Sequence, residues 1–405
     1  MVGGPPAADR LVTLSNWQDP PWNRWSFQHI GQLIPSARIS RGDGPVLDLP
    51  DEPRDIDDVT FRTIAGASST LGAHLESAYT DGFLALHHGR IVAEQYSNGM
   101  TQGTRHLLQS VSKSLTGALA GALVGSGALD PGGMVADYVP MLRGTSFEGA
   151  TVRHLLDMTA GTRFSEDYDD PGSDVRRYEI AAGWQPAADG QPGLDLAAYI
   201  GALPNRSAHG EAFAYRSILT DVLAMVLEGS SAERFADAMS GLLWSRMGAE
   251  HDAEITLDRH GNAMSDGGIS VTLRDLARFG QLYLLGGSLG GQRVLPPAWV
   301  ADTRFADEAC RGIFLAAQEA ARGTGSPAQQ ACALHGHYRN QWWVLDPGSG
   351  IMMGSGIYGQ YVYVDAARDV VLVKLSSLPR PLDPTIAANT LRAFASLAAH
   401  LGEPA

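Results

Sequence analysis

The segment Gln109-Ser110-Val111-Ser112-Lys113-Ser114 begins the most regular stretch of this sequence. Behind it, apolar side chains recur at helical spacing between small residues, at Leu115, Leu119, Ala122 and Leu123. This spacing predicts a tightly packed helix within residues 106–127. Ser110 and Lys113 are three residues apart, so both side chains lie on one face of the first helical turn.

A serine and a lysine on one helical turn suit nucleophilic catalysis. A serine hydroxyl is a weak nucleophile until a base takes its proton, and a lysine can be that base if burial and the helix N-terminus lower its pKa. The unpaired N–H of Ser110 would also be available to a developing oxyanion. The alternative is a serine that caps the helix, followed by a solvated Lys113.

Lysine is so scarce in this chain that a chance match is rare. Only Lys113 and Lys374 are lysines among the 30 basic residues, and the other 28 are arginines. With 30 serines in 405 residues, two randomly placed lysines would give roughly 0.15 Ser-x-x-Lys matches (2 × 30/405). At position 113 arginine could not supply an amine of adjustable pKa, because its guanidinium does not deprotonate in proteins. No such role is predicted for Lys374.

Two other motifs compete for a functional interpretation. Gly286-Gly287-Ser288-Leu289-Gly290 matches G-x-S-x-G, which requires a strand before the serine and a helix after it. Here a predicted helix precedes the motif and Pro296-Pro297 follow it, so we interpret it as a glycine-rich helix exit. His335 and His337 are too few to hold a metal. We therefore predict no metal site and no organic cofactor.

The composition excludes several classes of partner. The 44 acidic and 30 basic residues give a net charge of −14, which disfavours binding to nucleic acids and anionic membranes. No apolar run approaches the roughly 20 residues that a membrane span needs, and residues 1–10 do not resemble a signal peptide. We expect a cytoplasmic protein in which Cys310 and Cys332 are reduced.

The order of patterns along the chain predicts an α+β fold. Residues 1–60, rich in Pro, Trp and Asp, are interpreted as an N-terminal wrapping arm. Residues 61–150 and 290–405 are predicted to form an α/β domain whose central antiparallel sheet is built from both chain ends and flanked by helices. Residues 151–289 are predicted to form a mainly helical inserted subdomain, with the active site at the interface.

The individual elements follow from hydrophobic periodicity and turn residues. Strands are predicted at residues 83–86, 91–96, 342–345, 351–353, 361–364 and 370–375, the first two joined by a turn that contains Gly89. Helices are predicted at residues 152–158, 196–203, 218–227, 232–247, 273–285 and 385–401. Thr272 and Asp275 form the capping pair of the helix at 273–285.

With these motifs the sequence resembles the serine β-lactamase and penicillin-binding-protein superfamily, in particular its class C branch. It is most similar to the 6-aminohexanoate-dimer hydrolases, which degrade nylon oligomers. The similarity covers nearly the whole chain, at residues 16–21, 106–113, 137–140, 341–343 and 373–377. It implies a β-lactamase-like fold and no cofactor.

The resemblance also implies a catalytic tyrosine, and Tyr215 matches it in Tyr215-Arg216-Ser217. Tyr215 would pass the proton of Ser110 to the leaving amine, assisted by Lys113. Whether Lys113 stays charged or is itself the base is left open. Class C enzymes usually have Asn at the position of Ser217, whose hydroxyl could bind the substrate or Lys113.

A third family element maps onto Gly354-Ser355-Gly356, where β-lactamases have Lys-Thr-Gly. The backbone N–H of Ile357 would complete the oxyanion hole together with that of Ser110. The missing lysine would bind the carboxylate of a β-lactam, so we expect little β-lactamase activity. Gly354 is instead expected to open space for a flexible linear substrate.

Further substrate contacts are implied by the same family. Tyr168 matches a tyrosine on a loop that closes over the substrate, and Glu179 falls where an acidic side chain would attract the ammonium end of an aminohexanoate unit. Asp266 corresponds to another polar position that lines the cleft. For all three, a solvated or structural role is the alternative. The stretch 307–335 looks longer than its family counterpart and could change the substrate preference.

The resulting expectation is a serine hydrolase that cleaves linear amides through an acyl-enzyme, most plausibly 6-aminohexanoate linear dimers and short nylon-6 oligomers. A carboxylesterase with the same catalytic residues, acting on short acyl esters, is the nearest alternative. Further alternatives are a weak β-lactamase or DD-peptidase activity and a non-catalytic binding protein. The expected partner is a small amide or ester, and a homodimer remains open.

Overall fold

One long antiparallel sheet dominates the computed structural model, which describes residues 7–187, 194–321 and 336–403. The strands, in chain order, are β1 (Ser36–Ile39), β2 (Thr60–Arg62), β3 (Ser68–Thr70), β4 (Thr80–His87), β5 (Arg90–Tyr96), β6 (His106–Leu107), β7 (Ala253–Thr256), β8 (Ile269–Val271), β9 (Ser288–Leu289), β10 (Gln292–Arg293), β11 (His337–Arg339), β12 (Trp342–Asp346), β13 (Ile351–Gly356), β14 (Gln360–Asp365) and β15 (Val370–Ser376). The α-helices are α1 (Asn23–Ser26), α2 (Leu71–Ser77), α3 (Val111–Ser126), α4 (Val135–Tyr138), α5 (Val152–Leu156), α6 (Asp174–Ala181), α7 (Leu196–Ala202), α8 (Ile218–Ser231), α9 (Phe235–Met239), α10 (Leu273–Leu284), α11 (Pro297–Phe305), α12 (Glu308–Ala320) and α13 (Pro384–Leu401).

The large sheet joins the two ends of the chain. Its strand order is β11-β12-β13-β14-β15-β4-β5, and all of its neighbouring strands are antiparallel. The junction is the pairing of the C-terminal β15 with β4, in which Lys374 lies opposite Phe83. The predicted α+β fold with a sheet assembled from both chain ends is confirmed. At the β4–β5 turn, His88 and Gly89 both have positive φ, which favours a glycine there.

A second antiparallel sheet, in the order β1-β7-β8-β6, is not predicted by the sequence pattern. Its strands are only two to four residues long, too short for an alternating pattern to be recognised. The arm contributes β1, and β7 and β8 lie within the segment expected to be mainly helical. Since β6 ends at Leu107, this sheet holds the backbone that leads into Ser110.

Helix α3 lies in the centre of the molecule. The predicted helix within 106–127 is confirmed, but it begins only at Val111 because the residues before it pair in β6. Every residue from Val111 to Gly121 is buried, so small side chains are needed where neighbouring backbone comes close. A Cβ at Gly117 would lie 2.3 Å from the carbonyl oxygen of Asn340. The helix ends at Gly127, in the left-handed conformation.

Other predicted helices are found with altered ends. Helix α10 has the predicted cap, in which the Thr272 side chain accepts from the N–H of Asp275. The prediction of a single α-helix at 232–247 is wrong, because α9 ends at Met239 and is followed by a π-helical segment, Ser240–Trp244. None of the helices in the described part of the chain has both the length and the apolar character needed to cross a bilayer.

The G-x-S-x-G motif does not form a nucleophile elbow in the structure. Ser288 lies in β9, a two-residue strand that follows α10 and pairs with β10, so the strand and helix of a nucleophile elbow are absent there. His337 is buried in β11 and contacts the carbonyl oxygen of Thr303. Cys310 donates to the carbonyl of Tyr338. His335, Cys332 and the segment 322–335 lie outside the described residues.

Lys374 is buried in β15, a central strand of the large sheet. Its Nζ contacts Ser376 Oγ and lies 3.4 Å from the carbonyl oxygen of Ala78. Burial lowers the pKa of Lys374 to about 7, against the opposing charge of Asp81. Both lysines of this chain are thus buried, at 1% and 0% exposure.

We expect Lys374→Met to change how stability depends on pH. A lysine in the unfolded chain has a pKa of about 10.4, so between pH 7 and about 10.4 the unfolded state binds more protons and the wild type gains stability as the pH rises. The variant lacks this gain. Urea titrations should therefore give a difference in the free energy of unfolding, variant minus wild type, that is largest at pH 7 and shrinks towards pH 10. A difference independent of pH would contradict the assignment.

Candidate active site

Ser110 stands at the turn between β6 and α3. Gln109 before it has a φ of 48°, a conformation that non-glycine residues seldom adopt and that tends to occur at functional sites. The Ser110 side chain does not cap the helix; its Oγ instead accepts a 2.8 Å hydrogen bond from Lys113 Nζ. The alternative of a capping serine and a solvated lysine is therefore wrong.

Lys113 is surrounded by groups that favour its protonated form. Its Nζ also donates to the carbonyl oxygen of Asp266 at 2.8 Å and lies 3.6 Å from the Asp266 carboxylate. Burial alone would lower the pKa of Lys113, but the acidic groups around it, Tyr215 and Asp266 foremost, outweigh this effect and raise the pKa above its usual value.

Tyr215 lies beside this pair, just before α8. Its ring centroid is 5.2 Å from Lys113 Nζ, and the ring stacks on Trp343 at 5.3 Å with an interplanar angle of 22°. Burial raises the pKa of Tyr215, while the charge of Lys113 and contacts with Ser110 and Lys113 oppose the rise. The structure thus brings Ser110, Lys113 and Tyr215 together.

The two backbone groups expected in the oxyanion hole lie in the same pocket. Ser110 is at the N-terminus of α3, and Ile357 follows directly after β13; both residues line the pocket. Gly356 allows the approach of these segments, because a Cβ there would lie 2.7 Å from the carbonyl oxygen of Leu108 and 3.0 Å from the Ser110 nitrogen.

Gly354 does not have the position expected from the sequence. Ser355 and Gly356 line the pocket, whereas a Cβ on Gly354 would point at α3, 2.9 Å from Ser114 Oγ and 3.4 Å from Val111. The expectation that Gly354 opens space for substrate is therefore wrong. The glycine allows β13 to pack closely on α3.

Tyr168 lines the pocket, and the Arg176 guanidinium lies 5.6 Å from the centre of its ring. Glu179 is placed differently from the expectation of a free carboxylate near the substrate. It lies on α6, is 3% exposed, and binds Arg176 at 2.8 Å and Gln18 at 3.0 Å. With these two partners, it is not presented to a substrate ammonium group.

Ser217 and Asp266 also lie beneath the pocket surface. The N–H of Ser217 donates to the carboxylate of Glu166, and the Ser217 side chain is buried. Asp266 is 7% exposed and contacts Lys113 through its carbonyl and its carboxylate. Asp266 is therefore a neighbour of the lysine, and its predicted place in the cleft wall is wrong.

Sequence reasoning missed three polar residues near Lys113. Glu166 lines the pocket, and Tyr178 and Asp221 are buried behind Asp266. Asp221 could have been recognised, since it is a lone carboxylate among the apolar residues of the predicted helix at 218–227. Glu166 lies in an acidic loop with no periodic pattern, where no signal distinguishes it from solvated neighbours.

A pocket of about 570 Å³ has Ser110 in its wall. Its described lining includes no lysine or arginine, and its acidic members are Glu166 and Asp383. Asp383 caps α13 and pairs with Arg380 at 2.9 Å. The larger part of the lining is apolar: Phe213, Ala214, Ala317, Ala321, Trp343, Met353, Ile357, Leu378, Pro381, Leu382, Pro384, Ala387 and Leu391. Ala317 is on α12, so the described part of the stretch 307–335 borders the pocket.

Comparisons with known proteins give matches over most of the chain. Residues 73–397 match the protein family described as Beta-lactamase. A 6-aminohexanoate-dimer hydrolase of Paenarthrobacter ureafaciens is 38% identical over 377 residues, which cover 93% of this chain and 91% of that protein.

Solved structures extend the similarity to three dimensions. A Bacillus anthracis protein assigned as a 6-aminohexanoate-dimer hydrolase superposes with a TM-score of 0.84 at 26% identity, covering 98% of this chain and 99% of that one. A class C beta-lactamase superposes with a TM-score of 0.56 at 17% identity, over 83% of this chain and 95% of that one, which shows a shared fold.

Proposed function

The chain belongs to the beta-lactamase family, and on that premise we propose that it hydrolyses linear amides through an acyl-enzyme on Ser110. The family resemblance inferred from the motifs is confirmed. The observation that carries the proposal is the 2.8 Å contact between Lys113 Nζ and Ser110 Oγ in the wall of a large pocket.

In the reaction that fits these positions, each acylation moves one proton in net terms, from the Ser110 hydroxyl to the leaving nitrogen. Ser110 Oγ attacks the amide carbon and gives its proton to the Tyr215 oxygen, while Tyr215 gives its own proton to the departing nitrogen. The bond from Oγ to carbon forms as the carbon–nitrogen bond breaks. Water then hydrolyses the ester by the reverse relay and releases the acid. The N–H groups of Ser110 and Ile357 stabilise the oxyanion in both steps.

The substrate class follows from the relative and from the pocket wall. The relative named above is a 6-aminohexanoate-dimer hydrolase, so we propose 6-aminohexanoate linear dimer and short nylon-6 oligomers as substrates. The apolar lining suits the pentamethylene segments of such chains. Without a lysine or arginine among the described pocket residues, the carboxylate of a β-lactam has no cationic partner there.

A carboxylesterase activity is the second candidate. The apolar wall formed by α12, α13 and the segment from Leu378 to Leu382 would accept short acyl chains equally well. An ester also needs less help than an amide from Tyr215, because its leaving group is the weaker base. The same Ser110 would form the acyl-enzyme in both reactions.

A substrate panel tests the proposal. We expect turnover of 6-aminohexanoate linear dimer and p-nitrophenyl acetate, with hydrolysis of a chromogenic cephalosporin slower by about 100-fold in kcat/KM or more, equivalent to about 2.7 kcal/mol of transition-state binding. The p-nitrophenyl acetate rate serves as the control for an active preparation. Rapid cephalosporin hydrolysis, or ester turnover with no detectable amide turnover, would contradict the proposed substrate class.

A further inference from the structure

A buried chain of polar side chains lies behind Lys113. The Tyr178 hydroxyl is in hydrogen-bond contact with Asp221 Oδ2 and lies 2.7 Å from Asp266 Oδ1. The other oxygen of Asp266, Oδ2, faces Lys113 Nζ at 3.6 Å. Tyr178, Asp221 and Asp266 are all less than 10% exposed. We call these three residues the buried relay.

The protons in the buried relay can be counted. Two oxygen–oxygen hydrogen bonds meet at the Tyr178 hydroxyl, and each requires one proton. A phenol supplies only one, and a carboxylate supplies none. The second proton must therefore belong to Asp221 or to Asp266, so one of the two carboxyl groups is a neutral acid.

The surroundings of each carboxyl group decide which one carries the proton. Asp266 faces Lys113, the only cation among the described residues that pairs with a carboxyl group of the buried relay. Asp221 Oδ1 receives only neutral donors, the N–H of Asp266 at 3.1 Å and the hydroxyl of Ser265 at 3.2 Å. A proton on Asp221 Oδ2 can be donated to Tyr178, which then donates to Asp266.

We propose that Asp221 is a buried carboxylic acid and Asp266 a carboxylate, and that this arrangement, relayed through Tyr178, holds Lys113 as an ammonium ion during catalysis. The inference rests on the proposed acyl-enzyme reaction of Ser110. It chooses between the two roles that the sequence leaves open for Lys113. The ammonium supports the negative charge that develops on the Tyr215 oxygen, and Lys113 does not itself remove the serine proton.

The other charged groups around the site agree with this assignment. Burial and the charge of Asp266 raise the pKa of Asp221 well above its usual range, and burial with both carboxyl groups keeps Tyr178 a neutral phenol. Of the remaining groups facing Lys113, Tyr215 is buried, and burial raises the pKa of Glu166. Arg216 interacts electrostatically with Glu166 and donates to the carbonyl oxygen of Ala160.

The two aspartates give a matched pair of substitutions. Asp221→Asn replaces an acid by an amide that can still donate to Tyr178 and accept from Ser265 and from the Asp266 N–H. Asp266→Asn removes the negative charge beside Lys113. We expect a loss of kcat for the amide with Asp266→Asn that is at least about tenfold greater than with Asp221→Asn.

The pH profile separates a charge effect from a structural one. Without its carboxylate neighbour, Lys113 loses its proton at lower pH, so the alkaline limb of kcat/KM in Asp266→Asn should move down by about one pH unit or more. Asp221→Asn should leave that limb in place. Equal losses in the two variants with an unmoved limb would overturn the proposal.

Infrared spectroscopy tests the protonation state without turnover. The difference spectrum of wild type minus Asp221→Asn at pH 7 should contain the carbonyl stretch of a protonated carboxyl group, and its absence would overturn the proposal even if Asp266→Asn fails to fold. If Ser110→Ala still hydrolysed the amide, the proposed function would fail while this band would remain. Thermal unfolding of both variants checks that their folds are comparable.

Discussion

Ser110→Ala is expected to lower kcat for both amide and ester substrates by at least about 10⁴-fold. The Ser110 Oγ is the only protein atom in the proposed mechanism that bonds to the substrate carbon, so its removal eliminates the acyl-enzyme. The loss should be this large for every substrate, because amides and esters share the same nucleophile. Binding should persist, since the pocket wall is unchanged.

Labelling with a fluorophosphonate and intact-protein mass spectrometry measures this result directly. Wild-type protein should gain one adduct, and Ser110→Ala should gain none. Ser288→Ala is the matched control, because Ser288 lies in the competing G-x-S-x-G motif, within the β9–β10 hairpin. It should be labelled and turn over as the wild type does. An adduct on Ser110→Ala that disappears when Ser288 is also replaced would overturn the assignment of the nucleophile.

Tyr215→Phe is expected to lower kcat for amide hydrolysis by about 10³-fold. The change removes only the hydroxyl, so the ring can keep its stacking on Trp343 and its contact with Tyr338. An amide nitrogen must be protonated before it leaves, whereas p-nitrophenolate leaves without a proton. The loss for p-nitrophenyl acetate should therefore be about tenfold smaller than the loss for the amide.

Steady-state kinetics on the two substrates check this prediction. Tyr338→Phe is the matched control: its ring lies 5.8 Å from that of Tyr215 but does not line the pocket, and the change again removes one hydroxyl. We expect nearly wild-type kcat from it. Equal losses of amide and ester turnover in Tyr215→Phe would show that Tyr215 does not protonate the leaving group.

Much of the fold could be predicted because long elements carry periodic patterns. The strands around residues 83–96 and 342–375 and the buried helix α3 repeat their apolar positions often enough to be recognised. The sheet β1-β7-β8-β6 could not be predicted in this way, because no strand in it exceeds four residues. Its existence depends on pairing between segments more than 200 residues apart.

The candidate site likewise has a part that the sequence predicts and a part that it does not. Ser110 and Lys113 are local neighbours on one turn, so their shared helix face follows from spacing, whereas the structure shows that they form a 2.8 Å hydrogen bond. The surroundings of Gly354, Glu179 and Asp266 do not follow from spacing, because strand pleat, helix packing and distant ion-pair partners set them. Glu179 forms an ion pair with Arg176, and Asp266 lies beside Lys113. Neither pairing can be read from the motifs.

The sequence by itself therefore determined the family, the α+β class and the serine and lysine of the site, since each depends on local spacing or on nearly continuous similarity. Only the tertiary structure shows which groups surround Lys113. A lysine with three carboxyl groups and a tyrosine around it differs chemically from the same residue in isolation, and those neighbours come from three separate segments of the chain. Burial removes these groups from water, so they shift one another's pKa values more than exposed groups would.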